Sequence, residues 1–465
     1  MIRNLLHKFT RERDLTSGSL SKAVWVLAVP MMIGNLLQTA FNLVDMAWVG
    51  RLGPDALAAV SMSGSILMVL MFVMIGVGVG TTALVARAIG AKEKAQADHF
   101  AMQSLVLGLI GSVFFGLIGY FISPFLLTLL GADPTVASLG TGYLQIMFIG
   151  VIVMFFMFLI AAILQGAGDA ITPMVVLAIS VLLNIVLDPL MIFGIGFPKM
   201  GVNGAAWATV IAEGIGSLIA LEVLLHGRSR VQVKLADLRI DWPVMWRILK
   251  IGLPASVQMS LRGLMGIALI AIVAKFGMAA VAAYGVGLRL NMLAMMPGFA
   301  LANAAGTLVG QNLGAKKPER AVTSSWLAVG YYLVISILLG VLFLVFPERL
   351  MMVFNEQLQV ISIGAELLRY TAAGLPFVVV GLVLGRSLNG AGDSLPPAVF
   401  TLIALWFIQV PLAFYLSGTM GLTGIWVAIL IAQIVLALLT FAWFQAGFWK
   451  ADTKGRTVTA VKLEL

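Results

Sequence analysis

SLVLGLIGSVFFGLIGYFI, residues 104–122, runs without a single charged side chain. Coiled as an α-helix at about 1.5 Å per residue, it spans roughly 28 Å, close to the hydrocarbon thickness of a bilayer. A barrel strand crosses with only about ten residues, so a run of this length reads as a helix. The rest of the chain agrees. Of its 465 residues, 61% are hydrophobic and 11% charged, whereas a water-soluble domain carries roughly 25% charge to cover its surface. Inside lipid every backbone amide must be bonded within its own element. The expected fold is therefore an all-α integral membrane protein, and a soluble enzyme is excluded.

Working outward from that run, apolar stretches punctuated by charge, Gly and Pro give twelve candidate spans, near 22–49, 56–82, 101–123, 136–163, 170–196, 202–226, 247–275, 278–306, 320–346, 359–386, 395–416 and 422–446. An even number places both termini on one side. Basic residues identify that side: Arg3, Lys8, Arg11, Arg13 and Lys22 at the start; Arg87, Lys92 and Lys94; Arg228, Arg230, Lys234, Arg239, Arg247 and Lys250; Lys316, Lys317 and Arg320; Arg386; and Lys450, Lys454, Arg456 and Lys462 at the end. The opposite face has only Arg51, Lys199, Lys275 and Arg349. Positive loops stay cytoplasmic, so both termini are expected inside, in a bacterial or archaeal inner membrane. The net charge of +9 is then a topology signal, and no nucleic-acid partner is expected. The chain has no cysteine, and His7, His99 and His226 form no metal-ligand spacing. The charged segment 1–20 lacks the apolar core of a cleavable signal peptide.

The chain repeats itself. LQGAGDAITP at 164–173 matches LNGAGDSLPP at 388–397, an offset of 224, which also relates Pro30 to Pro254, Gly53 to Gly277 and Gly90 to Gly314. Later, GVNGAA at Gly201 pairs with GLTGIW at Gly421, so the second copy is about four residues shorter in one loop. With six spans per copy the repeat is parallel: two six-helix bundles about an axis along the membrane normal. The expected division is a first lobe at 1–226, a cytoplasmic linker at 227–241 and a second lobe at 242–465. Asp169 and Asp393 in the GAGD turns are expected to cap the helices that follow.

Charged groups at membrane depth carry the functional signal. Asp45 falls in the first span and Asp188 in the fifth, and a carboxylate at a helix centre costs about 2.5–3.5 kcal/mol on insertion scales. Asn184 and Asp188 share a helix face, and Pro189 frees the Ile185 carbonyl beside them. Pro30 frees the Val26 carbonyl and marks where the first helix can bend. The repeat-equivalent positions are Leu269 and Leu412, so the carboxylates belong to one lobe only. Two carboxylates brought together in low dielectric will bind a proton or share a hard cation such as sodium. Asn42, Asn184 and Thr209 are candidate oxygen donors, which makes Asp45, Asn184, Asp188 and Thr209 a candidate sodium site. Gln38, Asn42, Tyr143, Gln145, Gln258 and Arg262 are candidate cavity-lining residues, although packing explains Tyr143 and Gln145 equally well. Glu213, whose repeat mate is Gln433, reads as a structural group paired with a neighbouring helix. GVGVG at Gly76–Gly80 follows no strand and reads as close helix packing rather than nucleotide binding. No Walker motif is present.

These residues resemble the multidrug and toxic-compound extrusion (MATE) family. The resemblance is carried by VPMMIGNLLQTAFNLVDMAWVGRLG in the first span, AIGAKE after the second, LQGAGD after the fourth, NIVLDP in the fifth and GAAWAT in the sixth, and covers about residues 15–446. It is greatest to the DinF-related and archaeal-type branch, in which the amino-terminal lobe carries the essential aspartates. The resemblance implies that Asp45 and Asp188 are the coupling carboxylates, Asn184 and Thr209 their partners, and Pro30 the bending point. The seventh span departs from the NorM-like pattern: ASVQMSLRGLMGIALI holds Gln258 and Arg262 but no carboxylate.

The expected function is a proton- or sodium-coupled antiporter, acting as a monomer without a cofactor. It would export amphiphilic, often cationic, small molecules across the bilayer by alternating access. Two alternatives stand beside it. A lipid-linked precursor flippase of the same superfamily would need several basic residues in its cavity, and only Arg262, Arg289 and Arg369 are available at depth. An intramembrane enzyme would need a dyad or metal ligands at depth, and none is visible.

Overall fold

The computed structural model describes residues 14–196, 198–226, 229–234 and 239–450. The basic residues Arg3, Lys8, Arg11, Arg13, Arg228, Lys454, Arg456 and Lys462, His7 and part of the 227–241 linker lie outside the described residues. The helices are α1 Leu20–Gly50, α2 Pro54–Gly90, α3 Lys94–Leu129, α4 Pro134–Ile149, α5 Val151–Ala167, α6 Ile171–Phe193, α7 Val202–Leu225, α8 Trp242–Val273, α9 Met278–Gly314, α10 Pro318–Val345, α11 Pro347–Met352, α12 Leu358–Ala391, α13 Leu395–Thr401, α14 Val410–Met420 and α15 Leu422–Ala446. A π-helical stretch, Leu402–Gln409, joins α13 to α14 into one span. Among the described residues eleven helices are long and apolar enough to cross a bilayer, and α4 with α5, bent by 50° at Gly150, completes the twelve expected. The chain is thus a multi-pass, all-helical membrane protein, wrapped in exposed apolar side chains such as Phe121, Phe125, Leu338 and Phe414.

Backbone geometry repeats with the sequence. Lys92 and Lys316 share a left-handed φ of 61° and 58°, and Gly168 and Gly392 end their helices at 94° and 88°. Gly201 and Gly421 start α7 and α15 at 58° and 64°. One repeat expectation fails. The Asp169 carboxylate accepts from the Ile171 and Thr172 amides at 3.1 and 3.0 Å and caps α6, but Asp393 accepts from the Trp443 indole at 2.9 Å instead. The cause is local: Pro396 stands where Thr172 does and has no N–H to offer.

The lobes exchange the first half of their first helix. Ala23, Val24, Leu27, Ala28 and Met31 of α1 pack into the core of the second lobe, with Leu301, Leu308 and Val309. Val244 and Ile248 of α8 do the reverse and join the core of the first. Beyond Pro30, α1 returns to its own lobe, where Gly34 faces Leu177 and the rings of Trp48 and Phe193 lie 6.0 Å apart. Pro30 therefore sits between a segment held by one lobe and a segment held by the other.

The lobes meet at the end that bears the described chain ends. A Cβ on Gly90 would lie 1.9 Å from the Gln311 carbonyl oxygen, and one on Gly314 would lie 2.0 Å from that of Arg87. Only glycine permits backbones this close. Gly76 meets Gly252 and Gly80 meets the Ile248 carbonyl in the same way. The Gln311 amide donates to the Gly166 carbonyl at 2.9 Å. Lys317 and Arg320 of the second lobe bind the carbonyls of Thr16, Ser17 and Gly18 ahead of α1. The same end holds the linker, where His99 of α3 bonds Asp241 at 2.9 Å and the Asp241 amide donates to Gln103 at 3.0 Å.

Candidate functional site

The centre of interest is the α6–α7 pair. Two glycines set its spacing: a Cβ on Gly204 would strike the Met191 carbonyl at 2.5 Å, and one on Gly216 would strike the Ser180 hydroxyl at 2.1 Å. Between these contacts Asn184 on α6 faces Thr209 on α7. The Asn184 amide donates to Asp188 Oδ1 at 3.1 Å and lies 3.4 Å from Thr209 Oγ1. Asn184 and Asp188 have no exposed surface, and Thr209 is buried.

Asp45 reaches the cluster from α1. The Trp48–Phe193 contact sets the register, so Asp45 and Asp188, three and five residues back, lie within about 3 Å of the same depth. Their charges act on one another. Asp45 is partly buried and makes no ion pair with Arg51, whose guanidinium instead lies over Trp48 at 4.5 Å. Asp45 Oδ1, Asn184 Oδ1 and Asp188 Oδ2 are buried and have no hydrogen-bond partner. A buried carboxylate left this way is costly, and each oxygen would be satisfied by a proton or a hard cation. Carboxylate, amide and hydroxyl oxygens are also the donor set such a cation takes, so the residues fit either ion. Among the described residues no cluster of His, Asp or Glu has the makings of a transition-metal site.

Other expected site residues divide. Gln38 and Asn42 are exposed and lie on the same α1 stripe as Asp45, at spacings of four and three. Tyr143 is buried on α4 within electrostatic reach of Asp45, Asp188 and Glu213. Glu213 departs from expectation: among the described residues it has no ion-pair partner, and it lies within electrostatic reach of Tyr143, as Asp45 and Asp188 do. Its offset from Thr209 by four residues of α7 was the available signal. Gln145 and Gln258 are drawn elsewhere. Gln145 reaches the Tyr120 carbonyl at 3.5 Å, and Gln258 bonds Pro397 and Thr401 inside the second lobe. Arg262 is in the second lobe, away from the carboxylates, and Pro30 is buried between the lobes.

A model of the MatE family matches residues 30–190 and again 254–415, once in each half. A probable multidrug resistance protein of Bacillus subtilis, YoeA, is 31% identical over 95% of this chain and 98% of its own length. Two solved structures are 29% identical with a TM-score of 0.87. One is an outward-facing multidrug resistance MATE family transporter, covering 94% of this chain and 98% of its own. The other is a MATE in a bent conformation, covering 93% and 96%. With both halves matched and this likeness running end to end, the chain belongs to the MatE family, a family of transporters and not of enzymes.

Proposed function

We propose that this protein is a cation-coupled antiporter that exports amphiphilic, often cationic, compounds, with Asp45 and Asp188 as the coupling carboxylates and Asn184 and Thr209 as their partners. The observation that carries this reading is the set of three buried, unpartnered oxygens on Asp45, Asn184 and Asp188 beneath the Gln38–Asn42 stripe. The first-lobe placement of the acids fits the DinF-related and archaeal-type branch. The basic loops fit a cytoplasmic end bearing both termini. On that orientation the glycine-sealed end is the cytoplasmic one and the conformation faces outward.

In the cycle, a proton or sodium ion from outside occupies the carboxylate cluster and lowers its negative charge. Neutralisation removes the attraction for a cationic substrate and changes which α1 shape is favoured, so ion and substrate exclude one another. Pro30 is the bending point because the two lobes hold opposite sides of it, and rocking of the lobes must be absorbed there.

The test is export of a fluorescent amphiphilic cation from proteoliposomes under proton and sodium gradients imposed separately. One inward gradient should accelerate export well above the rate without a gradient. Equal rates with and without both gradients would remove the antiport reading.

A further inference from the structure

The second lobe carries the opposite charge, nearer the termini-bearing end. Arg262 on α8 and Arg386 on α12 are partly buried and lie within electrostatic reach of each other. Ser394, in the turn that follows α12, donates to the Ile251 carbonyl at 2.6 Å and ties that turn to α8. Arg386 lies five residues before the end of α12, about 8 Å along it, and Arg262 lies eleven residues beyond Ile251 on α8, about 16 Å. Arg386 therefore lies within α12, close to its termini-bearing end.

No protein acceptor answers them. Among the described residues neither guanidinium has a hydrogen bond or an ion pair. The acids of the second lobe are committed or remote: Glu348 to Arg369 at 2.6 Å, Glu366 to Thr423, Asp393 to Trp443, Glu319 exposed in the first turn of α10, and Glu356 exposed in the loop after α11. Two like charges held together at this depth are unfavourable without an anion between them. The fold does not demand them either, since Gln38 and Ala162 stand at the repeat-equivalent positions of the first lobe.

We propose that Arg262 and Arg386 form an oxyanion-binding subsite, which receives the carboxylate or phosphate of a transported amphiphile. Guanidinium groups suit planar, bidentate recognition of such groups. This deepens the export reading and rests on it. With acids in one lobe and arginines in the other, the gap between them suits a zwitterion whose amine faces Asp45 and whose acid faces Arg262. A lipid phosphate entering sideways offers the same chemistry.

The subsite is tested by binding, which does not depend on coupling. Rhodamine 110, with a free carboxylate, and rhodamine 123, its methyl ester, are titrated onto the purified full chain by fluorescence polarisation. The wild type should prefer the free acid, and Arg386→Gln or Arg262→Gln should lower the acid-to-ester affinity ratio about tenfold, as expected for a lost charge-assisted hydrogen bond. Arg262→Lys, which keeps the charge, should recover part of the ratio and covers the case in which a glutamine variant fails to fold. An unchanged ratio in the folded variants overturns the proposal, as does a wild type that prefers the ester. Competition by phosphatidylglycerol but not phosphatidylcholine, lost in Arg386→Gln, would assign the subsite to a lipid headgroup. A normal ratio shift with no gradient-driven export would leave the subsite standing and remove only the antiport reading.

Discussion

Asp188→Asn is expected to abolish gradient-driven export in proteoliposomes while leaving a folded protein that binds a cationic substrate more weakly. Asparagine keeps the shape and accepts the bond from Asn184 at the same oxygen, but it cannot gain or lose charge. A charged carboxylate at membrane depth costs about 2.5–3.5 kcal/mol, and this is the order of free energy that ion binding can pass to α1. Losing it corresponds to roughly a hundredfold in the bias between the two conformations. Asp45→Asn should have an effect of the same sign and a smaller size, because Asp45 is less buried and the Asp188 carboxylate remains. The check is the initial rate of export under the productive gradient, normalised to reconstituted protein. Full rates in both variants would leave the carboxylate cluster without a role in coupling.

Gly90→Ala is expected to open the sealed end. Its Cβ would stand 1.9 Å from the Gln311 carbonyl oxygen, with Gln311 Cα only 2.7 Å away. The added carbon strikes backbone that cannot rotate away, so α2 and α9 must separate by about 1.5 Å before ordinary contact is reached, and the same holds for Gly314→Ala against Arg87. Overpacking of this kind costs about 1–3 kcal/mol, but only in the closed arrangement. The population of molecules open at the termini-bearing end should therefore rise by about ten- to a hundredfold. The chain has no cysteine of its own, so one introduced as Gln38→Cys reports on access without background. Maleimide labelling from the termini-bearing side should be faster in the Gly90→Ala background. Gly285→Ala, where nothing lies within 4 Å of the added carbon, should not change it.

The fold was largely legible in the sequence because its signals are collective. Apolar length gave the twelve spans, and the offset of 224 was written in prolines and glycines whose backbone roles recur in both lobes. The Asn184–Asp188 spacing placed both residues on one face, whereas Thr209 entered as a candidate oxygen donor and through the family resemblance. What escaped depends on tertiary contact. The bend at Gly150 lies inside one long apolar run, at a point where Val210 of α7 packs so close that a Cβ on the glycine would meet it at 2.3 Å. The π-helical turn at Leu402–Gln409 has no composition that separates it from an α-helix. The exchange of helix halves between lobes is invisible to periodicity, since the same apolar face serves either lobe. The expected span ends at Arg386, whereas α12 continues for five residues to Ala391, because the GAGD turn and not the charge ends the helix.

In the proposed antiport cycle, ion and substrate compete for one cluster of oxygens. The most direct measurement is the affinity of purified protein for a fluorescent amphiphilic cation across a sodium titration and, separately, a pH titration, in wild type and Asp188→Asn. The wild-type affinity should weaken as the coupling ion increases, and the variant should be insensitive to that ion. Identical ion dependence in the two proteins, or none in the wild type, would contradict it.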